Sequence, residues 1–154
     1  MALHFGTDGV RARADTVLTE SVVRALGRAA AGHLGADEVA IGHDTRASGE
    51  ALALWLADGF IDGGVGVRPL GMVPTPAVAH MAAADGIGGA VVSASHNPWT
   101  DNGVKLFAVG GHKLDDAAQA ALQASWDETP ELEATGRAVP DVVPDDRWAE
   151  AVAT

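Results

Sequence analysis

The sequence contains no cysteine, only two lysines and no long apolar run. The lack of cysteine removes disulfides, thiolate nucleophiles and Cys-ligated zinc together. No stretch reaches the about 18 apolar residues of a membrane-spanning helix, so no membrane partner is expected. The opening MALHFGTDGVR has no basic segment followed by an apolar one, so no leader is expected and a cytoplasmic location is. Positive charge is also scarce. Ten Lys and Arg stand against 21 Asp and Glu, leaving a net charge of −11. Such a surface repels a polyanion, and no nucleic-acid partner is expected. What is present is 154 residues, 47% of them hydrophobic, enough for one domain with a real core.

Apolar runs alternate with periodic segments along the chain. Thr19 can cap a helix carrying Val22, Val23, Leu26, Ala30 and Leu34, with Gly35 as its stop. Ser48 can cap a second, carrying Leu52, Trp55, Leu56 and Phe60 and ending at Gly63-Gly64. Thr75-Pro76 reads as an N-cap followed by proline at the first helical position. Asp115 to Trp126 reads as a last helix. Between these, EVAIG (38–42), VGVRPL (65–70) and IGGAVV (87–92) read as strands, and GVKLFA (103–108) as a fourth after a turn at Asn102-Gly103. The alternation predicts an α/β fold: a mainly parallel mixed sheet of about four strands with helices on both faces.

In open α/β sheets, ligands bind beyond the carboxyl ends of the strands. Three polar segments fall there: GHDTRASG, GMVPTP and SASHNP. The third is the richest, because Ser93, Ser95, His96, Asn97 and Lys105 gather within thirteen residues, SASHNPWTDNGVK. Backbone N–H groups at such a strand end suit a phosphate or another anion. A serine, a cation and a histidine together suit nucleophilic or phosphoryl-transfer chemistry. Each residue also has a plain reading. The serines are ordinary turn formers, His96 can bond backbone, and Lys105 can be a solvated edge-strand lysine. The remaining histidines have no metal-site spacing, and neither G-x-G-x-x-G, Walker A nor G-x-S-x-G occurs.

Taken in order, FGTDGVR (5–11), GHDTRASG (42–49), PTPAVAH (74–80), SASHNPWTDNGVKLF (93–107) and GHKL (111–114) resemble the blocks of the α-D-phosphohexomutase family, nearest to its phosphoglucosamine mutases. The resemblance implies that Ser95 is the phosphorylated serine. It would donate its phosphoryl group to a hexose or hexosamine phosphate and recover one from a bound 1,6-bisphosphate. Arg11 would stabilise charge on the transferring group, Lys105 would assist acid-base transfer at the sugar hydroxyl, and His96 would shape the loop. Thr7, Asp8, Ser93 and Asn97 would contact phosphate or substrate. Asp44 and Arg46 are read as supports of the first-strand loop. Ala12 stands where the family usually has glycine.

The family's Mg²⁺ is expected to be held by the phosphate on Ser95 and by an Asp-x-Asp-x-Asp loop of a second domain. DVVPDD (141–146) lacks that pattern. The expected organisation is therefore a phosphoserine domain over 1–127, an acidic proline-bearing linker over 128–146 and the start of an interdomain helix over 147–154. Such a chain would depend on further mutase domains for activity. A phosphomannomutase or phosphoglucomutase domain is the alternative within the family, and a non-catalytic binding module of the same fold is the alternative outside enzymes. Intact Ser95, Arg11 and Lys105 argue against the module.

Overall fold

The computed structural model describes residues 3–6, 8–136, 138–143, 145 and 147–149. Thr7 and most of the predicted helix over 147–154 lie outside them. Among the described residues the order is β1 (Val10–Arg13), α1 (Glu20–Ala30), β2 (Glu38–His43), α2 (Gly49–Asp62), β3 (Gly66–Met72), α3 (Thr75–Asp85), β4 (Gly88–Val92), β5 (Asp101–Ala108), β6 (His112–Lys113) and α4 (Asp116–Glu128).

One sheet runs β1-β5-β4-β2-β3, with β6 on the side of β5. The strands β3, β2 and β4 pair in parallel, each reached through a helix. β5 pairs antiparallel with β4 and with β1, and β6 antiparallel with β5. The α/β class and mixed sheet match the expectation, but the sheet has six strands where about four were expected. The antiparallel half has a steric cause. Only residues 93–100 join β4 to β5. A parallel return needs a crossover of a dozen or more residues, so this short connection reverses the chain.

Alternation along the strands divides the core. Val39, Ile41, Ala90, Val92, Val104 and Leu106 face α1, α2 and α4 in the larger cluster, with Leu26, Leu56, Phe60 and Trp126. Ala40, Leu70, Val91 and Phe107 face α3, against Val78, Met81 and Ala82. β4 is buried along its whole length, which explains its unbroken apolar sequence.

The helix ends differ in detail from the sequence reading. Glu20 in the first turn and Arg28 in the last complement the dipole of α1. That helix stops at Ala30, and Leu34 is buried in the loop beyond it. Ser48 sits at the start of α2, but its hydroxyl accepts from Asn102 Nδ2 at 2.8 Å and caps no helix N–H. Pro74, not Thr75, is the N-cap of α3, which places Pro76 second in the helix. Asp115 caps α4 by accepting from Ala118 N at 2.7 Å. Asn102 and Gly103 lie inside β5, and the turn predicted there falls at Pro98–Asp101 instead.

Beyond α4 the chain is irregular and runs across the helices. Leu132 N donates to Ser21 O, and Thr135 donates to Asp58 through both its N–H and its hydroxyl. Asp58 also receives Arg24 Nε at 2.7 Å; the two residues are 5% and 7% exposed, so this pair is buried. Residues 147–149 are helical.

Candidate functional site

The buried strand β4 delivers the chain to a tight loop. Ser93 N donates to Gly103 O at 3.0 Å and closes its base. Asn97 N donates to Ala94 O at 3.0 Å, and Asp101 N to Pro98 O at 2.9 Å. Ala94 is fully buried and anchors the loop, while Ser95 and His96 are exposed. Ser95 has φ of +51°, the one non-glycine residue described with positive φ. Left-handed backbone is unfavourable for a serine, and such strain gathers at functional positions where surrounding structure enforces it.

The enforcing structure comes from the loop after β2. The five N–H donors of Arg46 each meet an oxygen. Nη2 donates to Ser95 O at 2.8 Å and Asn97 O at 3.0 Å. Nη1 donates to Pro98 O at 2.6 Å and Asp101 O at 3.0 Å, and Nε donates to Asp44 Oδ2 at 3.4 Å. Asp44 Oδ2 also accepts from Ser93 Oγ at 2.8 Å, and Ser93 Oγ accepts in turn from Ser95 N at 3.2 Å. Asn97 Nδ2 donates to Asp101 Oδ2 at 3.2 Å within the loop. These contacts widen the role expected for Asp44 and Arg46: they hold the loop around Ser95, some fifty positions away in sequence. Their place after a predicted strand marked them as loop supports; which loop they hold follows from β2 lying beside β4.

β1 and β5 supply the cations. Arg11 pairs with Gly103, and Lys105 follows two residues later, so the pleat puts Arg11 and Lys105 on one face of the sheet. A methyl group at Gly103 would stand 2.9 Å from Ser93 O and 3.0 Å from Arg11 Cγ, which shows how closely Arg11 approaches the loop base. Arg11 Nη1 lies 3.5 Å from Asn97 Oδ1, a weak contact on an otherwise exposed side chain. Lys105 is half-buried opposite Val91, with Nζ 5.6 Å from the centroid of the Phe107 ring. Asp8 is exposed on the turn before β1, next to Gly9. Gly9 has φ of +78°, and a Cβ there would stand 1.9 Å from Val104 O. Only glycine lets this turn lie flat on β5 and set the start of β1.

The predicted residues therefore divide. Ser93, Ser95 and Asn97 are linked within the loop, and Arg11 reaches it through Asn97. Lys105 shares Arg11's face at the next pleat, and His96 stands exposed at the loop tip. Thr7 lies outside the described residues. Trp99, two residues past Asn97, is 83% exposed. Among the described residues no three His, Asp or Glu side chains gather as metal ligands. Of the carboxylates at the loop, Asp44 is committed to Arg46 and Ser93, and Asp101 accepts from Asn97.

The family model described as phosphoglucomutase/phosphomannomutase, alpha/beta/alpha domain I, matches residues 2–133. A curated phosphoglucosamine mutase of Mycolicibacterium vanbaalenii is 44% identical over 150 residues, covering 93% of this chain and 34% of that protein. The phosphoglucosamine mutase of Rhodococcus jostii is 46% identical over 127 residues, covering 78% and 28%. A crystal structure of a Thermus thermophilus protein assigned as a phosphomannomutase superposes with a TM-score of 0.83 at 32% identity, covering 99% of this chain and 35% of that one. The chain thus spans about a third of the length of the curated relatives it matches.

Proposed function

The chain belongs to the phosphoglucomutase/phosphomannomutase domain I family, and on that premise we propose that it is the phosphoserine-bearing domain of a cytoplasmic mutase interconverting glucosamine 6-phosphate and glucosamine 1-phosphate. The observation that carries the reading is Ser95, held in left-handed backbone and exposed beyond β4, with the two cations Arg11 and Lys105 on one face of the adjoining strands. In the reaction, a sugar hydroxyl attacks the phosphorus on Ser95. The P–Oγ bond breaks as the new P–O bond forms, the hydroxyl proton leaves, and Ser95 Oγ ends as an alkoxide that takes up a proton. The product is a hexosamine 1,6-bisphosphate, whose other phosphoryl group returns to Ser95 by the reverse step.

Arg11 suits charge stabilisation because its guanidinium has one weak contact among the described residues, leaving donors for phosphate oxygens. Lys105, half-buried and free of a carboxylate partner among the described residues, suits proton transfer at the sugar hydroxyl. His96 and Asn97 complete the loop, and Ser93 supports Ser95 N. Thr7 and Asp8 are assigned to phosphate contact on the strength of the family resemblance. Mg²⁺, when bound, neutralises charge on the transferring phosphoryl group. The phosphate on Ser95 is the ligand this chain offers, and the others come from a further domain.

Sequence identity favours glucosamine over the alternative sugars. The relatives named phosphoglucosamine mutase share 42–46% identity, against 32% for the structure assigned as a phosphomannomutase. The test is a coupled assay of glucosamine 6-phosphate conversion, primed with bisphosphorylated sugar and Mg²⁺. The 154-residue chain gives no turnover, and a chain carrying the remaining mutase domains gives turnover that Ser95→Ala abolishes. Turnover by the short chain, or preference for mannose or glucose phosphates by the longer one, contradicts the reading.

A further inference from the structure

Two arginines approach the Ser95 loop, and their bonding separates their roles. Arg11 is exposed, with one 3.5 Å contact, to Asn97, among the described residues. Arg46 has an oxygen opposite each of its five N–H groups: four loop carbonyls, from Ser95, Asn97, Pro98 and Asp101, and the carboxylate of Asp44. Its side chain is 12% exposed. No donor is left for a phosphate. One of the four carbonyls belongs to Ser95 itself, the residue with the strained φ of +51°.

The second arm reaches Ser95 from its other side. Asp44 accepts from Ser93 Oγ, which spends that hydroxyl's proton, and Ser93 Oγ accepts from Ser95 N. The Ser95 peptide is thus gripped at its N–H through Ser93 and at its C=O through Arg46, and both grips end on Asp44. The same arrangement separates the two serines of the loop. Ser93 Oγ points its proton at a carboxylate, where a phosphate dianion would be repelled. Ser95 Oγ makes no hydrogen bond among the described residues and is exposed.

We propose that Arg46 is a positioning residue, which acts with Asp44 and Ser93 to hold Ser95 in its left-handed conformation and to present Ser95, not Ser93, for phosphoryl transfer. This rests on the mutase reading for its consequence in turnover but not for its consequence in conformation. Arg46→Lys is the informative change: it keeps the charge and removes the planar fork that four carbonyls require.

The test has two arms. In NMR of the 154-residue chain, the wild type shows the Ser95 Cα and Cβ shifts of left-handed backbone and slow exchange at the Asn97 and Asp101 amides. In Arg46→Lys the left-handed signature is lost and both amides exchange at least about tenfold faster, while amides of β2 and β3 are unchanged. In the catalytically complete protein, Arg46→Lys lowers kcat on the order of 10²-fold and leaves KM for the sugar phosphate unmoved, because Arg46 touches no substrate. Should Arg46→Lys fail to fold, Asp44→Ala removes the carboxylate on which both arms end, and it loses the Ser95 signature while keeping the sheet resonances. Retention of that signature in the folded variant, or a raised KM with kcat intact, overturns the proposal. A wild type without turnover refutes the mutase reading and leaves the NMR arm to decide the positioning.

Discussion

Replacing Ser95 by glycine stabilises the domain while removing its proposed phosphoryl acceptor. The left-handed φ of +51° costs an L-residue about 1–2 kcal/mol, a cost glycine does not carry. Against this, glycine loses about 0.5–1 kcal/mol more conformational freedom on folding than alanine does. The Ser95 hydroxyl has no protein partner among the described residues, so its removal forfeits no hydrogen bond. The balance is a gain of about 0–1.5 kcal/mol, at about 2–4 °C in Tm per kcal/mol for a domain of this size. Ser95→Ala keeps the strain and stays within about 0.5 kcal/mol of wild type. Ser95→Val adds a β-branched side chain to a left-handed residue and loses about 1 kcal/mol more. Urea unfolding followed by circular dichroism, with a common m value, ranks the four proteins as Gly, then Ser and Ala together, then Val. A glycine variant less stable than the alanine variant would refute the claim that backbone strain is stored at this position.

Other perturbations probe the scaffold. Asp58→Ala leaves Arg24, 7% exposed, with the outlying Glu20 as its one carboxylate partner among the described residues, and removes the hydrogen bonds Asp58 accepts from Thr135. Breaking such a buried pair costs about 3–5 kcal/mol, and Glu20 places this case near the lower end; a loss below about 1 kcal/mol in urea unfolding contradicts it. Asp85 is held at about 2, below the usual carboxylate value, by hydrogen bonds from Arg147 and Arg68. Its depressed folded-state pKa means that its contribution is complete above about pH 4 and is lost as pH falls through about 2. Arg147→Ala therefore narrows the stability difference between about pH 5 and about pH 2.5, and an unchanged difference in acid-titrated unfolding contradicts this. Gly9→Ala drives a methyl group against Val104 O at φ of +78°, costing about 2–4 kcal/mol. Its amide spectrum should show β1 detached from β5 at Val10 and Val104; unchanged shifts there refute the packing argument.

The buried parallel strands were legible because a strand covered on both faces must be apolar throughout, as IGGAVV is. β1 was not, since VRAR is four residues at a sheet edge with Arg11 and Arg13 facing water, a pattern any loop can show. Asn102-Gly103 misled for a local reason. The pair is a common hairpin turn, but here Gly103 serves the close approach of Ser93 O and Val10 O, and buried Asn102 bonds to Ser48. The residues of the Ser95 loop were visible as a cluster because they are contiguous. The grip of Arg46 on that loop was not visible, because it depends on β2 lying beside β4, a neighbour relation that spacing along the chain does not encode.

The central claim is that Ser95 carries the phosphoryl group that is passed to the sugar. The most direct measurement is phosphopeptide mapping by tandem mass spectrometry of the intact protein from its own cells, before and after incubation with isotopically labelled glucosamine 6-phosphate. The account predicts phosphate on Ser95 and none on Ser93, with the Ser95 phosphate exchanging for the labelled one as turnover proceeds. Phosphate confined to another residue, or a Ser95→Ala protein that still turns over, would contradict it.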